Sequence, residues 1–353
     1  MNAVPPDFAG AVVAWQKRHG RNALPWQNTR DPYRVWLSEI MLQQTQVATV
    51  RGYFQRFVDR FPDVKSLASA NVDDVMALWS GLGYYSRARN LHRCAKAIAS
   101  EHHGIFPQQS AVLQTLPGIG KSTAAAIASL CFAERVAILD ANVRRVVSRV
   151  TGFDADLSVA AHERALWLAA TDLLPSALTA GKDMPRYTQG MMDLGATVCV
   201  PREPRCTVCP VRPQCVAAQK GDPQRYPVRS RKVKRSSEPL WLLWLRSSTG
   251  LVWLHRRPAP GIWAGLYCLP VFGSEEALQD AVPANHRRDL RPLQVVKHVL
   301  THKDLYLHPL VLTAAEEDLV MCEGRWFSAQ EWPTLGLPAP IRMLLATPDG
   351  GAT

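Results

Sequence analysis

Apolar residues recur every three to four positions through the first two-thirds of the chain, then give way to alternating or continuous apolar runs in the last third. Phe8, Val12 and Trp15 define one face of a helix expected over 8–20, which Gly20 stops. Proline suits a first helical position, so a second helix is expected from Pro32 to Gln44. NVDDVMALWS predicts a helix capped by Asn71; the tight turn GLGYY at 81–85 and a basic helix ending on Gly104 follow. The hairpin LPGIG at 116–120 leads into an alanine-rich helix from Lys121 to Leu130. An apolar run, Val136 to Leu139, ends on Asp140, which stands at the N-cap of a helix over 141–150. Further helices are expected over 160–174 and 186–197. Beyond a polar, basic, proline-containing linker at 221–238, six runs read as strands: PLWLLWLRSS, LVWLHRRP, LYCLPVF, LQVVKHVLTH, DLYLHPLVLT and RWFS. Only short helices, near 275–281 and 329–346, interrupt them, and the final TPDGGAT should fray. The pattern predicts a mainly α region followed by a smaller α+β domain of about 110 residues.

Length agrees, since 353 residues suffice for two or more cored domains. Charge adds a partner class: 41 Lys and Arg against 30 Asp and Glu raise the expectation of a polyanion. The N-terminus lacks the basic and apolar segments of a secretory signal, and no apolar run approaches the ~20 residues of a bilayer span. No membrane is therefore expected; the predicted location is the cytoplasm, at the bacterial cytosol or nucleoid, where thiols stay reduced. Of eight cysteines, Cys94, Cys131, Cys268 and Cys322 are isolated and read as buried apolar residues.

Four groups of residues carry candidate chemistry. The glycine-punctuated hairpin, with Gly118 and Gly120, presents backbone N–H groups suited to a phosphate, and Asp140 lies a short way downstream as a reactive acid or simply a helix cap. Glu39 is the lone acid among Val35, Trp36, Leu37, Ile40, Met41 and Leu42; it either faces solvent or sits in an apolar pocket that raises its proton affinity. Trp26 is a core anchor or the wall of a base pocket, and Tyr84, beside two glycines, is placed to stack on a base. Finally, Cys199, Cys206, Cys209 and Cys215 are spaced C-x6-C-x2-C-x5-C. That compact, unequal spacing suits a cubane 4Fe–4S cluster, with a four-cysteine zinc site as the alternative. Arg202, Arg205 and Arg212 on the same loop would present cations to phosphates.

Several segments together resemble one family. LPGIGKSTAAAI with ILDANVRR is similar to the helix-hairpin-helix and following aspartate of the endonuclease III superfamily of base-excision DNA glycosylases, and the cysteine spacing matches that superfamily's iron–sulfur loop. LPWQ, LSEIMLQQTQV, GLGYYSRARNL and MMDLGATVC resemble the MutY-type adenine DNA glycosylases, so that the likeness spans nearly all of 8–225. GIWAGLYCLP and Leu300–Thr301–His302 resemble that family's Nudix-like domain, without the acidic box of a pyrophosphatase. The resemblance implies a helical glycosylase region over 1–220, with a six-helix part at 27–134 and an iron–sulfur part at 1–26 and 135–220, and a Nudix-like lesion-recognition domain over 239–348.

The same resemblance implies a function. A monomeric enzyme with one 4Fe–4S cluster would remove adenine paired with 8-oxoguanine or guanine in double-stranded DNA. Glu39 would protonate the flipped purine and ionised Asp140 would stabilise the sugar cation. Gln44 and Tyr84 would wedge into the base stack, with Thr45, Leu82, Gly118, Gly120 and Lys121 among the DNA contacts. Leu24, Trp26 and Asn142 would form the adenine and catalytic region; Thr301 and His302 would touch 8-oxoguanine. Lyases of the superfamily carry a nucleophilic lysine where this chain has Ser122, and Lys121 lies about 100° away round the helix. A monofunctional glycosylase is therefore expected. An endonuclease III-like pyrimidine glycosylase with lyase activity and a non-catalytic, cluster-bearing DNA-binding protein are the rival readings.

Overall fold

The computed structural model describes residues 8–230, 235–318 and 323–347; Cys322 and residues 348–353 of the C-terminal tail lie outside this range. The chain forms two units, one from residues 1–69 and 90–232 and the other from residues 70–89 and 233–353.

The first unit is helical. Its elements begin with α1 (Phe8–His19), α2 (Pro32–Leu42), α3 (Val47–Arg60) and α4 (Val64–Ser69). Past α5 (Val72–Trp79), which belongs to the second unit, and α6 (Ser86–Glu101), which belongs to the first from Asn90, come α7 (Ser110–Leu113), α8 (Lys121–Phe132), α9 (Ala141–Thr151), α10 (Ala160–Asp172), α11 (Ala180–Thr197) and α12 (Val216–Gln219). The alanines of α8 are its packing surface: Ala125 and Ala126 join Val143, Val146 and Val147 of α9 and Met191 and Leu194 of α11 in one core. Small side chains there let helix axes approach closely, and Gly195 shows the limit, since a Cβ would stand 2.7 Å from that of Asn142. Asp193 of α11 is fully buried and accepts from the Arg21 side chain at 2.7 Å and backbone N–H at 3.0 Å, fixing the chain that leaves α1.

Three boundaries differ from expectation for local reasons. Helix α2 stops at Leu42 because Gln43 leaves helical geometry and Gln44 has φ +57°. Helix α11 starts six residues before the expected 186 and carries Pro185 inside it, close enough to the N-terminus that little of the hydrogen-bond ladder is lost. The stretch 221–230 is packed rather than free: Tyr226 is buried, and Arg149 donates to the carbonyls of Pro223 and Tyr226.

The second unit is a mixed sheet. Strands β1 (Ser236–Ser247) and β7 (Lys303–Ala314) pair in parallel from Ser236 opposite Lys303 to Ser247 opposite Ala314. Around this spine lie β2 (Val252–Arg256), β3 (Tyr267–Cys268), β4 (Val271–Phe272), β5 (Arg291–Pro292), β6 (Val296–Val299) and β8 (Arg325–Phe327). The order is β3-β2-β1-β7-β5, with β4 on β1, β6 on β7 and β8 on β2. Burial on both faces explains why LWLLWL is a continuous apolar run. Helix α13 (Glu275–Asp280) covers the sheet through Leu278, which meets Leu243, Leu245, Leu310 and Leu312. The helix expected over 329–346 is reduced to α14 (Ala339–Ala346), since Pro333 and Pro338 break its first half. Residues 70–89 dock here: Ser80 and Tyr85 hydroxyls donate to the Leu337 carbonyl, and Asp73 pairs with Arg256. Cys94, Cys131 and Cys268 are buried as expected, and burial pushes each thiol up to about 12.

Candidate active site

The hairpin between α7 and α8 turns on Gly118, whose φ of +77° is open to glycine at little cost. Gly120 precedes α8 without any side-chain cap, and a Cβ there would meet open space. The first N–H groups of α8 therefore face outward with no intrachain acceptor from a cap, an arrangement suited to an anionic oxygen. Lys121 is exposed, with its ammonium 4.1 Å from the centre of the Trp167 ring. Ser122 has a structural engagement that its sequence position does not reveal: its hydroxyl accepts the Leu139 N–H at 3.1 Å. That bond ties the residue before Asp140 to the first turn of α8.

Asp140 is the N-cap of α9, accepting the Val143 N–H at 2.7 Å. The cap, the Asn142 N–H, Arg145 and Arg144 all favour its anion, yet burial outweighs them and its pKa is raised. Glu39, on α2, is pushed up to about 7. Desolvation by the surrounding apolar side chains is the main cause, and the Asp140 charge adds to it, while Arg21 opposes. Backbone N–H groups and two arginines thus support the Asp140 anion, and the charge of Asp140 helps hold the proton on Glu39. The structure brings the two acids into one electrostatic unit.

Trp26 is a core anchor that also borders a cavity, whose lining includes neither Glu39 nor Asp140. It is buried against Phe54, ring centroids 5.4 Å apart, and lines a cavity of about 330 Å³ together with Asn22, Gln27, Arg186 and Gln189. Leu24 is half-buried, its N–H reaching the Gln27 side chain at 3.4 Å. Gln44 is exposed in left-handed geometry, and Thr45 follows it with its N–H on the Leu42 carbonyl. Asn142 accepts from Arg145 at 3.0 Å.

The remaining contacts expected from sequence lie in the second unit, within one cavity of about 650 Å³ lined by Leu82, Tyr84, Trp263, His298, Thr301 and His302. Tyr84 is 42% exposed with φ +45°, and its hydroxyl hydrogen-bonds that of Thr301. Non-glycine residues in left-handed geometry are uncommon; Gln44 and Tyr84 both adopt it, as do Asn28, His103, Ala133, Glu203 and Trp263.

Cys199, Cys206, Cys209 and Cys215 line a single apolar cavity with Val146, Val150 and Val211. Among the described residues no three thiol, imidazole or carboxylate groups converge on one metal ion. Thiols are the donors of both four-cysteine zinc sites and iron–sulfur clusters, so the residues lining this cavity fit a metal centre. Two arginines, missed in the sequence, organise this loop. Arg145 donates to the carbonyls of Gly195 and Cys199, both at 2.7 Å. Arg149, 2% exposed, donates to Cys199 Sγ at 3.3 Å and to the carbonyls of Val200 and Pro201. Their signal was available: they stand four apart beside the valine stripe of α9, where a charge needs a buried acceptor.

Residues 37–170 match the family described as HhH-GPD superfamily base excision DNA repair protein, and residues 241–347 match the NUDIX domain. A solved thermostable thymine-DNA glycosylase superposes with a TM-score of 0.53 at 27% identity, covering 60% of this chain and 95% of that one. Fold and site together are those of a helix-hairpin-helix base-excision glycosylase. Within that class, the adenine DNA glycosylase of Buchnera aphidicola subsp. Acyrthosiphon pisum (strain APS) is 34% identical over 346 residues, 96% of each chain. The human adenine DNA glycosylase is 40% identical over 222 residues, 60% of this chain and 40% of the human one. The chain belongs to the adenine DNA glycosylase family.

The raised proton affinity of Glu39 has a measurable sign. The folded protein holds this proton more tightly than the unfolded chain, so the associated stability is present below about 4.5 and is lost as pH rises through about 7. Urea midpoints of wild type should therefore fall relative to Glu39→Gln between those values; parallel curves would show that Glu39 is not desolvated.

Proposed function

We propose that this enzyme excises adenine lying opposite 8-oxoguanine, or opposite guanine, in double-stranded DNA. The observation that carries the reading is the pair of acids: Glu39 is pushed up to about 7, partly by the charge of Asp140, which itself caps α9 beside two arginines. The adenine must leave the duplex for the site to reach it. Protonated Glu39 donates to N7, so that the electron pair of the breaking C1′–N9 bond flows into a better leaving group. The sugar becomes oxocarbenium-like, and ionised Asp140 stabilises it. Water adds to C1′ and passes its proton to the Glu39 carboxylate, which restores the acid and leaves an abasic site in an intact strand. Leu24, Trp26 and Asn142 border this region; Gln44, Thr45, Leu82 and Tyr84 hold the opened duplex, and the start of α8 from Gly118 to Ser122 holds a phosphate.

Lyase chemistry needs an amine at the sugar. The hydroxyl of Ser122 is occupied by the Leu139 N–H, and the ammonium of Lys121 rests on Trp167, which supports a monofunctional enzyme. The pyrimidine-lyase alternative lacks that amine, and a purely DNA-binding protein has no use for a coupled acid pair. Thr301 and His302 are assigned to the base opposite the adenine, with Tyr84 beside it. The four cysteines would hold a 4Fe–4S cluster, one thiolate per iron, which when bound cross-links a loop whose exposed Arg202, Arg205 and Arg212 face phosphates. No helix among the described residues is long and apolar enough to cross a membrane.

Incubation with duplexes carrying 8-oxoguanine:A or thymine glycol, with and without hot alkali, tests the assignment. Strand cleavage at the adenine only after alkali is expected; alkali-independent cleavage at thymine glycol, or none on either duplex, would overturn it. Glu39→Gln should bind the 8-oxoguanine:A duplex normally while its single-turnover rate drops by roughly 10²–10⁴. A near-normal rate would remove Glu39 from the role of general acid. Purified holoprotein should be brown with broad absorbance near ~400 nm, and stoichiometric zinc without iron would refute the cluster.

A further inference from the structure

Arg87 belongs by sequence to the basic face of α6, yet it is 8% exposed. Its guanidinium lies between two rings, 5.3 Å from the centroid of Trp79 and 5.3 Å from that of Tyr84. Nη2 donates to the carbonyls of Leu82 at 3.1 Å and Gly83 at 3.3 Å, and the Arg87 N–H donates to the Tyr84 carbonyl at 2.8 Å. Trp79 Nε1 also donates to the Gly83 carbonyl, at 3.1 Å. These bonds converge on a turn with little stability of its own. Gly81, Gly83 and Tyr84 have φ of 101°, 68° and 45°, the last a conformation that a tyrosine adopts only when its surroundings impose it. Burial brings the guanidinium down to about 10, which still leaves it charged at neutral pH.

We propose that Arg87 is the positioning residue for discrimination of the base opposite the adenine: it clamps the 81–85 turn so that the exposed Tyr84 ring, tied through its hydroxyl to Thr301, meets the base stack in one fixed orientation. This rests on the reading of Tyr84 as the contact beside 8-oxoguanine. The clamp requires a planar group whose faces stack on rings while its edge reaches two carbonyls, and a lysine supplies charge without either feature. Arg87 touches no reacting atom; it acts through Tyr84.

The test measures single-turnover excision on 8-oxoguanine:A and G:A duplexes, with rates normalised to titrated active sites, for wild type, Arg87→Met, Arg87→Lys, Tyr84→Leu and the Arg87→Met/Tyr84→Leu double variant. Loss of folded enzyme slows both substrates alike and leaves their ratio unchanged. Both Arg87 variants should lower the ratio about tenfold, the size expected for a desolvated cation–π clamp. The double variant should be no worse than Tyr84→Leu. An unchanged ratio in Arg87→Met beside a lowered one in Tyr84→Leu would overturn the positioning role, and so would an Arg87→Lys indistinguishable from wild type. An unchanged ratio in Tyr84→Leu would instead remove the reading on which the proposal stands. Should Arg87→Met fail to fold, Arg87→Lys decides alone.

Discussion

The charge of one carboxylate, Asp140, raises the proton affinity of a second, Glu39, that burial has already desolvated, and much of the helical unit serves that pair. Glu39 arrives on α2 among buried neighbours, and Asp140 arrives at the start of α9, where backbone N–H groups and two arginines favour its charge. Burial raises both pKa values, but it acts almost unopposed on Glu39. An ordinary helix cap next to a desolvated acid thus helps hold the proton on that acid without any unusual residue. The alanines of α8 and the glycine at 195 let helix backbones approach closely, Gly195 against Asn142 beside the Asp140 cap.

Buried arginines form a second theme. Arg87, Arg145 and Arg149 all donate to backbone carbonyls of irregular segments: the 81–85 turn, the start of the cysteine loop and the stretch near Tyr226. Such segments cannot satisfy their carbonyls through helix or sheet ladders, and buried carbonyls left unpaired are costly. A guanidinium, with five donors in a rigid plane, can serve several at once. Part of the basic excess is therefore structural, with the exposed remainder left for a polyanion.

Legibility followed the range of the interaction. Asp140 as a cap, Asn71 as a cap and the turn at Gly118 all depend on neighbours within a few residues, and each appears where the local pattern places it. The first turns of α11, with Pro185 among them, lie outside the helix expected from residue 186. The engagement of Ser122 with Leu139 spans 17 positions and that of Arg21 with Asp193 spans 172; no local pattern announces either.

The sequence by itself determined the helical and strand segments, the acids, the cysteine window and, through joint motifs, the family, because these depend on local spacing and residue type. Only the tertiary structure decided that Glu39 is desolvated near the charge of Asp140, and that the Arg87 guanidinium lies over the rings of both Trp79 and Tyr84. Proton affinity and burial are properties of surroundings assembled from distant parts of the chain. The hairpin could be read from its glycines, but the protonation of the acids beside it follows only from how the helices pack around them.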